Sequence, residues 1–224
     1  MPALTQSLGA YLLDINAKTQ AQAELIALEA NLPEDSPLQM TLGSLFLRVQ
    51  DDEHALAAYR LSLRQHRHNA AALAGAGAAA FQQGLYPAAQ RYLQAAVVAD
   101  PKDAQSAALL RTADAVMQLN PFRPQIGVKQ RNRIVVGAYA AAGDRLKACG
   151  MLTAANGGKL ADVAQQWVRM KPGVTERGLR RDPDTVNDAM QLVFSIEEQT
   201  RGQCGGATQA DNALLLIAKL HEEN

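Results

Sequence analysis

The chain has 224 residues, with 22 Lys+Arg against 22 Asp+Glu, and only 4% of its residues are aromatic. That length accommodates one or two domains with a sizeable core, and the balanced charge excludes a global bias toward nucleic acid or an anionic membrane surface. Frequent alanine and sparse β-branched residues favour close-packed helices over sheet.

No apolar run approaches the ~20 residues of a membrane span. The start, MPALTQSLGAYLLD, has neither a basic n-region nor an uninterrupted apolar stretch, so it does not read as a secretory signal. The expected location is cytoplasmic for the chain as it stands, and periplasmic or exported if a leader has been removed.

The first half repeats. Leu8-Gly9 recurs as Leu42-Gly43 and again as Ala76-Gly77, each step being 34 residues. Ala21, Ala55 and Ala89 keep the same step, as do Leu25, Tyr59 and Leu93, and more weakly Leu28, Ser62 and Ala96. Pro33 and Pro101 lie two periods apart, with Arg67 between them. The frame defines units 2–35, 36–69 and 70–103, and a partial fourth has Leu110 in register but Arg111 where glycine would stand.

One stretch of the third unit imitates a different motif. Gly75-Ala-Gly77-Ala-Ala-Ala80 fits the loose dinucleotide-binding fingerprint, and Asp100 follows at a suitable distance. A phosphate loop needs a strand before it and a helix opening inside it. The preceding LRQHRHNAAALA has no strand character. We therefore read AALAGAGAAAFQQG as a helix whose glycines are small for packing, ended by Gly84. YPAAQRYLQAAVVADP is the second helix, with Pro87 in its first turn, where no N–H bond is lost, and Pro101 after its end.

The 34-residue pairing of helices over residues 2–120 resembles the tetratricopeptide repeat. Leu42-Gly43, Phe46, Ala55 and Tyr59 match its pattern in the second unit, and Gly77, Ala89, Ala96 and Pro101 match in the third. The first unit supplies Leu8-Gly9, Ala21 and Pro33, while Thr5 and Gln39 stand where the family favours tryptophan, so the repeats are degenerate. The resemblance implies a curved solenoid in which the first helix of each unit lines a concave groove. Its ligand-contact positions fall on Gln6, Ala10, Leu13 and Asp14, then Met40, Ser44, Leu47 and Arg48. Ala74, Ala78, Phe81 and Gln82 follow, then Ala108, Thr112, Ala115 and Val116. The family's clamp for a C-terminal carboxylate uses Lys, Asn and Arg at such positions, and only Arg48 matches. The implied groove is small and apolar and suits an apolar helix or strand, from a partner or from this chain's own C-terminal helices.

LNPFRPQIG, residues 119–127, interrupts the repeat. Beyond it about four helices are expected. In the first, Ile134, Val135, Ala138, Ala141, Ala142, Leu146 and Cys149 share a face. After the NGG turn, Leu160, Val163, Trp167 and Met170 share another. Asp182 with Pro183 reads as the start of a third, carrying Val186, Met190, Val193 and Phe194. Thr208-x-x-Asp211 reads as a capping box opening the last, whose Leu214, Leu215, Ile217, Ala218 and Leu220 should pack deeply.

Few residues suggest chemistry. His66 and His68 are two apart and would face different sides of a helix, and His54 and His221 show no partner in sequence. Asp51-Asp52-Glu53 suits a helix N-terminus, and Glu197-Glu198 reads as a solvated face. No hydrolase, zinc or nucleotide motif is present, so no catalytic residue, cofactor or metal is expected. Arg123, Lys129, Arg131, Arg133, Arg145 and Lys147, with Arg177, Arg180 and Arg181, lack the aromatic interleaving of a nucleic-acid site. They are expected to pair with the acidic first repeat or with water. Cys149 and Cys204 read first as buried free thiols, and as a disulfide in an oxidising compartment otherwise.

The sequence thus predicts an all-α protein: a tetratricopeptide-like helix–turn–helix solenoid over 1–120, then a helical C-terminal domain over 121–224. The expected function is a protein-binding scaffold or adaptor without chemistry of its own. The alternative is an accessory subunit stabilising an envelope or secretion assembly, with Cys149 and Cys204 bridged. The expected partner is a protein or peptide, not nucleic acid.

Overall fold

A computed structural model describes residues 18–151, 159–202 and 206–222, and every regular element among the described residues is helical. The helices are α1 (Lys18–Glu29), α2 (Gln39–Val49), α3 (Asp52–Gln65), α4 (Ala70–Gln82), α5 (Tyr86–Ala99), α6 (Ala104–Leu119), α7 (Val128–Ala148), α8 (Lys159–Met170), α9 (Gly178–Arg181), α10 (Thr185–Thr200) and α11 (Gln209–Glu222). The chain divides into two compact units, 1–113 and 114–224. Leu8, Gly9 and the contact positions Gln6, Ala10, Leu13 and Asp14 lie outside the described residues, as do the NGG turn and Cys204.

In the N-terminal unit the helices keep the sequence period. Asp52 and Tyr86 open α3 and α5, and Ala70 and Ala104 open α4 and α6, 34 residues apart each time. Neighbours in sequence are neighbours in space from α1 to α5, and α2 also touches α4. The alanine column Ala21, Ala55 and Ala89 is 0% exposed, and Leu25, Tyr59 and Leu93 are buried beside it in one core with Leu42 and Phe46.

Local chemistry repeats as well. Asn69 and Asp103 cap α4 and α6 by accepting the N–H of Ala72 and of Ser106, both at 3.0 Å. At the end of α4, Gly84 takes a left-handed φ of 71°, its N–H donates to the Phe81 carbonyl, and the Leu85 N–H donates to Ala80. At the end of α2, Gln50 takes φ 65°, with Gln50 donating to Leu47 and Asp51 to Phe46. Both ends are the same Schellman closure, built once on glycine and once on glutamine.

Gly75 and Gly77 lie inside α4 and are buried. A Cβ on Gly75 would fall within the Tyr59 ring, and one on Gly77 would come within 2.7 Å of Leu93. Their N–H groups belong to the middle of a helix, so they form no phosphate loop.

In the C-terminal unit α10 is the hub. α7, α8 and α11 all contact it, so more of its circumference is apolar than one amphipathic stripe: Ala189, Leu192 and Ile196 are buried along with Val186, Met190 and Val193. Its start differs from expectation. Asp182 ends α9 instead of capping α10, and accepts the Thr185 hydroxyl at 2.8 Å. Pro183 and Asp184 form a tight turn whose carbonyls accept from Val186 and Asn187. The capping box of α11 forms: Thr208 N–H donates to Asp211 at 2.7 Å and Asp211 N–H to the Thr208 hydroxyl at 3.2 Å.

Trp167 is buried in α8 and stacks on Tyr139 of α7, ring centroids 5.5 Å apart. The indole N–H donates to the Tyr139 carbonyl at 2.9 Å, and the Tyr139 hydroxyl donates to the Trp167 carbonyl. Tyr139 thus fills the buried position expected of Ala141, which is exposed. Gly143 makes room, since a Cβ there would overlap the indole.

Candidate functional site

In the second and third units the sequence-expected contact residues lie on the outward side of the first helix, whereas Val116 of the partial fourth is buried. On α2, Leu42, Leu45, Phe46 and Val49 turn inward, which leaves Met40, Ser44 and Leu47 at i, i+4 and i+7 on the other side. Met40 and Leu47 are half-buried, while Ser44 and Arg48 are exposed. On α4, Ala74, Ala78 and Phe81 occupy equivalent positions and are half-buried, and Gln82 is exposed. Because α2 and α4 touch, the two rows belong to neighbouring helices. Thr112 lies half-buried on α6, its hydroxyl donating to the Ala108 carbonyl at 3.1 Å.

These rows are tied to the core beneath them. Met40, Leu47 and Phe81 pack against it, and Phe81 meets Tyr86 edge to face at 5.2 Å. Ser44 donates to the Thr41 carbonyl at 2.7 Å. The surface therefore offers half-sunk apolar side chains on a fixed backbone, fringed by Arg48 and Gln82. Such a surface can hold an apolar segment but has no group poised for proton or electron transfer. Among the described residues, no group of three or more His, Cys, Asp or Glu is placed to hold a metal ion.

Two polar clusters escaped the sequence reading. The first surrounds His54, which does have partners. Asp51 caps α3 and accepts the His54 N–H at 3.2 Å. The same carboxylate lies 2.8 Å from His54 Nδ1 and accepts from Gln22 of α1 at 2.7 Å. Glu29 of α1 approaches His54 Nε2 at 3.6 Å, and the imidazole stacks on Phe46 at 5.1 Å. Burial pulls the imidazole down, but the Asp51 hydrogen bond and the charges of Asp51, Glu29 and Glu53 outweigh it, so His54 is raised above its ordinary value. Burial raises Asp51, and its hydrogen bonds from His54 and Gln22 reverse the effect, leaving it lowered. The acidic run Asp51-Asp52-Glu53 marked the helix start in the sequence but not the bond to His54, and Glu29 and Gln22 lie on another helix.

The second cluster corrects the reading of Glu197 as solvated. Glu197 is 1% exposed. It follows Val193 by four residues and so falls on the buried side of α10, a spacing that outweighs its charge. Next to it Arg145 of α7 and Asp211 of α11 form an ion pair at 3.2 Å. Other basic residues also pair within their own unit, Arg133 with Glu176 at 3.7 Å and Lys147 with Asp144 at 2.7 Å. His221 stacks on Phe122 at 4.2 Å, whereas His66 and His68 are exposed. Cys149 is disulfide-bonded, which overturns the free-thiol reading; the chain's other cysteine is Cys204.

Compared with protein-family models, curated proteins and solved structures, the chain matches none.

Proposed function

We propose that the N-terminal unit is a degenerate tetratricopeptide solenoid that binds another protein, gripping an apolar helix or strand along Met40, Ser44, Leu47, Arg48, Ala74, Ala78, Phe81, Gln82 and Thr112. The observation that carries this reading is the agreement between sequence period and packing. The columns Ala21, Ala55, Ala89 and Leu25, Tyr59, Leu93 are buried at the helix seams, caps and Schellman ends recur at the same step, and α2 touches α4. Repeats stacked this way leave their first helices with an apolar side that the unit itself does not cover. In this reading the protein is a scaffold or adaptor and not an enzyme.

The test is a comparison of proteins co-purified from cells by the tagged full chain. Leu47→Asp should remove a partner that Arg91→Glu, on the exposed side of α5, retains. If both variants keep the same proteins while remaining folded, the α2–α4 side is not the binding surface.

The disulfide at Cys149 favours a second reading, an accessory subunit of an envelope or secretion assembly working in an oxidising compartment. Thiol counting on unreduced protein taken from cells tests it: two free thiols would remove its basis.

A further inference from the structure

Glu197 is an anomaly in the C-terminal unit. It lies in the most buried helix, and neither carboxylate oxygen has a hydrogen-bond partner. The one guanidinium nearby is committed elsewhere. Arg145 Nη1 reaches Asp211 at 3.2 Å and the Gly206 carbonyl at 3.3 Å. Its Nε donates to the Thr200 hydroxyl at 3.1 Å and Nη2 to the Thr200 carbonyl at 3.4 Å. Arg145 thereby ties the end of α10 to the approach and first turn of α11. Asp211 is doubly used, as ion-pair partner and as the cap that accepts the Thr208 N–H.

The cluster holds two carboxylates and one guanidinium. With Glu197 protonated, Arg145 and Asp211 neutralise each other. With Glu197 ionised, the seam buries a net negative charge whose only source of relief is Arg145. An unpaired buried carboxylate is far costlier than a buried neutral acid, so ionisation must draw Arg145 away from Thr200 and Gly206 or expel Glu197 toward water. Among the described side chains, the other charges of these helices stand outside the seam: Asp162 and Arg169 of α8 are exposed, as are Asp144 and Lys147 of α7 and Lys219, His221 and Glu222 of α11; the side chains of α8 that are buried include Val163, Ala164 and Trp167.

We propose that Glu197 is a proton-operated latch on α11: protonated, it leaves Arg145 to clamp Thr200 to Gly206 and Asp211, and ionised, it competes for Arg145 and loosens α11. The working range is near neutral. Burial, then the charge of Asp211, pushes Glu197 up to about 7 despite Arg145. The folded value exceeds the unfolded one. The latch is therefore fully closed below the ordinary carboxylate value of 4.5, and its contribution is lost as pH rises through about 7.

Two measurements on the full, unreduced chain test this. Amide hydrogen exchange across α11, corrected for intrinsic rates, should show protection falling by up to about tenfold per pH unit between pH ~5 and ~7. Glu197→Gln, which fills the same space without charge, should make that protection independent of pH. Equal pH dependence in both proteins, or none in the wild type, overturns the proposal. Should the variant not fold, carboxyl 13C NMR of the wild type decides alone: a Glu197 midpoint near 7 supports the latch, and one near 4.5 overturns it.

Discussion

The ring of Tyr59 occupies the space that a side chain on Gly75 would fill. Tyr59 belongs to α3 and Gly75 to α4, and the ring also lies 3.0 Å from where a Cβ on Gly43 of α2 would stand. Three helices converge on one aromatic group, and burial pushes its phenol up to about 12. The glycines that imitate a nucleotide fingerprint are thus the floor of an interhelical contact. Intrinsic propensity says that alanine at position 75 should stabilise α4 by about 1 kcal/mol, whereas overpacking a rigid core costs about 1–3 kcal/mol. Packing should win. Gly75→Ala is expected to destabilise the N-terminal unit by up to about 2 kcal/mol in denaturant unfolding, and a more stable variant would mean that Tyr59 has room to move.

Gln50 and Gly84 make the same turn 34 residues apart, both at positive φ. Glutamine pays a steric cost there that glycine avoids, roughly 1–2 kcal/mol for an L residue. Gln50→Gly should stabilise the unit by about 0.5–1 kcal/mol, after the greater freedom of glycine in the unfolded chain is deducted and the exposed Lys18 contact at 3.4 Å is lost. Gly84→Gln should have the opposite sign. Thermal melts of the two variants side by side check the pair, and equal signs would contradict the repeat register.

The His54 cluster should make the N-terminal unit sensitive to pH. A histidine raised on folding contributes stability fully below 6.5 and loses it as pH rises through the folded value. Asp51, lowered on folding, acts in a separate window, losing its contribution as pH falls through a value below 3.8. Hydrogen exchange of α1 and α3 should therefore quicken, after intrinsic correction, as pH rises above 6.5 in the wild type and change less in His54→Gln. An unchanged profile in the variant would assign the effect to another group.

Trp167 is the chain's one tryptophan, and its indole N–H donates to the Tyr139 carbonyl, which lies mid-helix in α7. Trp167→Phe keeps a ring and removes this bond, which should cost about 0.5–1.5 kcal/mol. Native fluorescence should be blue-shifted relative to unfolded protein. Native emission at the unfolded wavelength would place the indole in water, against its burial.

How much of this was legible in the sequence depended on distance along the chain. The 34-residue columns were readable because small side chains recur where helices approach, and the columns of Ala21 and of Leu25 are buried at the helix seams, whereas Pro33 and Pro101 are exposed. Thr208 and Asp211 were readable because a capping box spans three residues. Gln50 was not, since glutamine carries no mark of a left-handed turn and only its equivalence to Gly84 reveals it. The partners of His54 lie on another helix, and Arg145 and Asp211 are joined solely by tertiary packing. Glu197 could have been read from its spacing to Val193, but its neighbour Glu198 made the pair look like a solvated face. The placement of α10's start two residues later than expected comes from Asp182 and Pro183 forming a turn with Thr185 and Val186.

The most direct test of the binding surface is a photo-crosslinking amino acid placed at Leu47 of the full chain in cells, read by mass spectrometry, with the same probe at exposed Arg91 as control. The expected result is a crosslink to an apolar segment of a distinct protein from position 47 and not from position 91. A crosslink from position 47 to residues 121–224 of the same chain would show the surface to be filled from within and would contradict the proposed role.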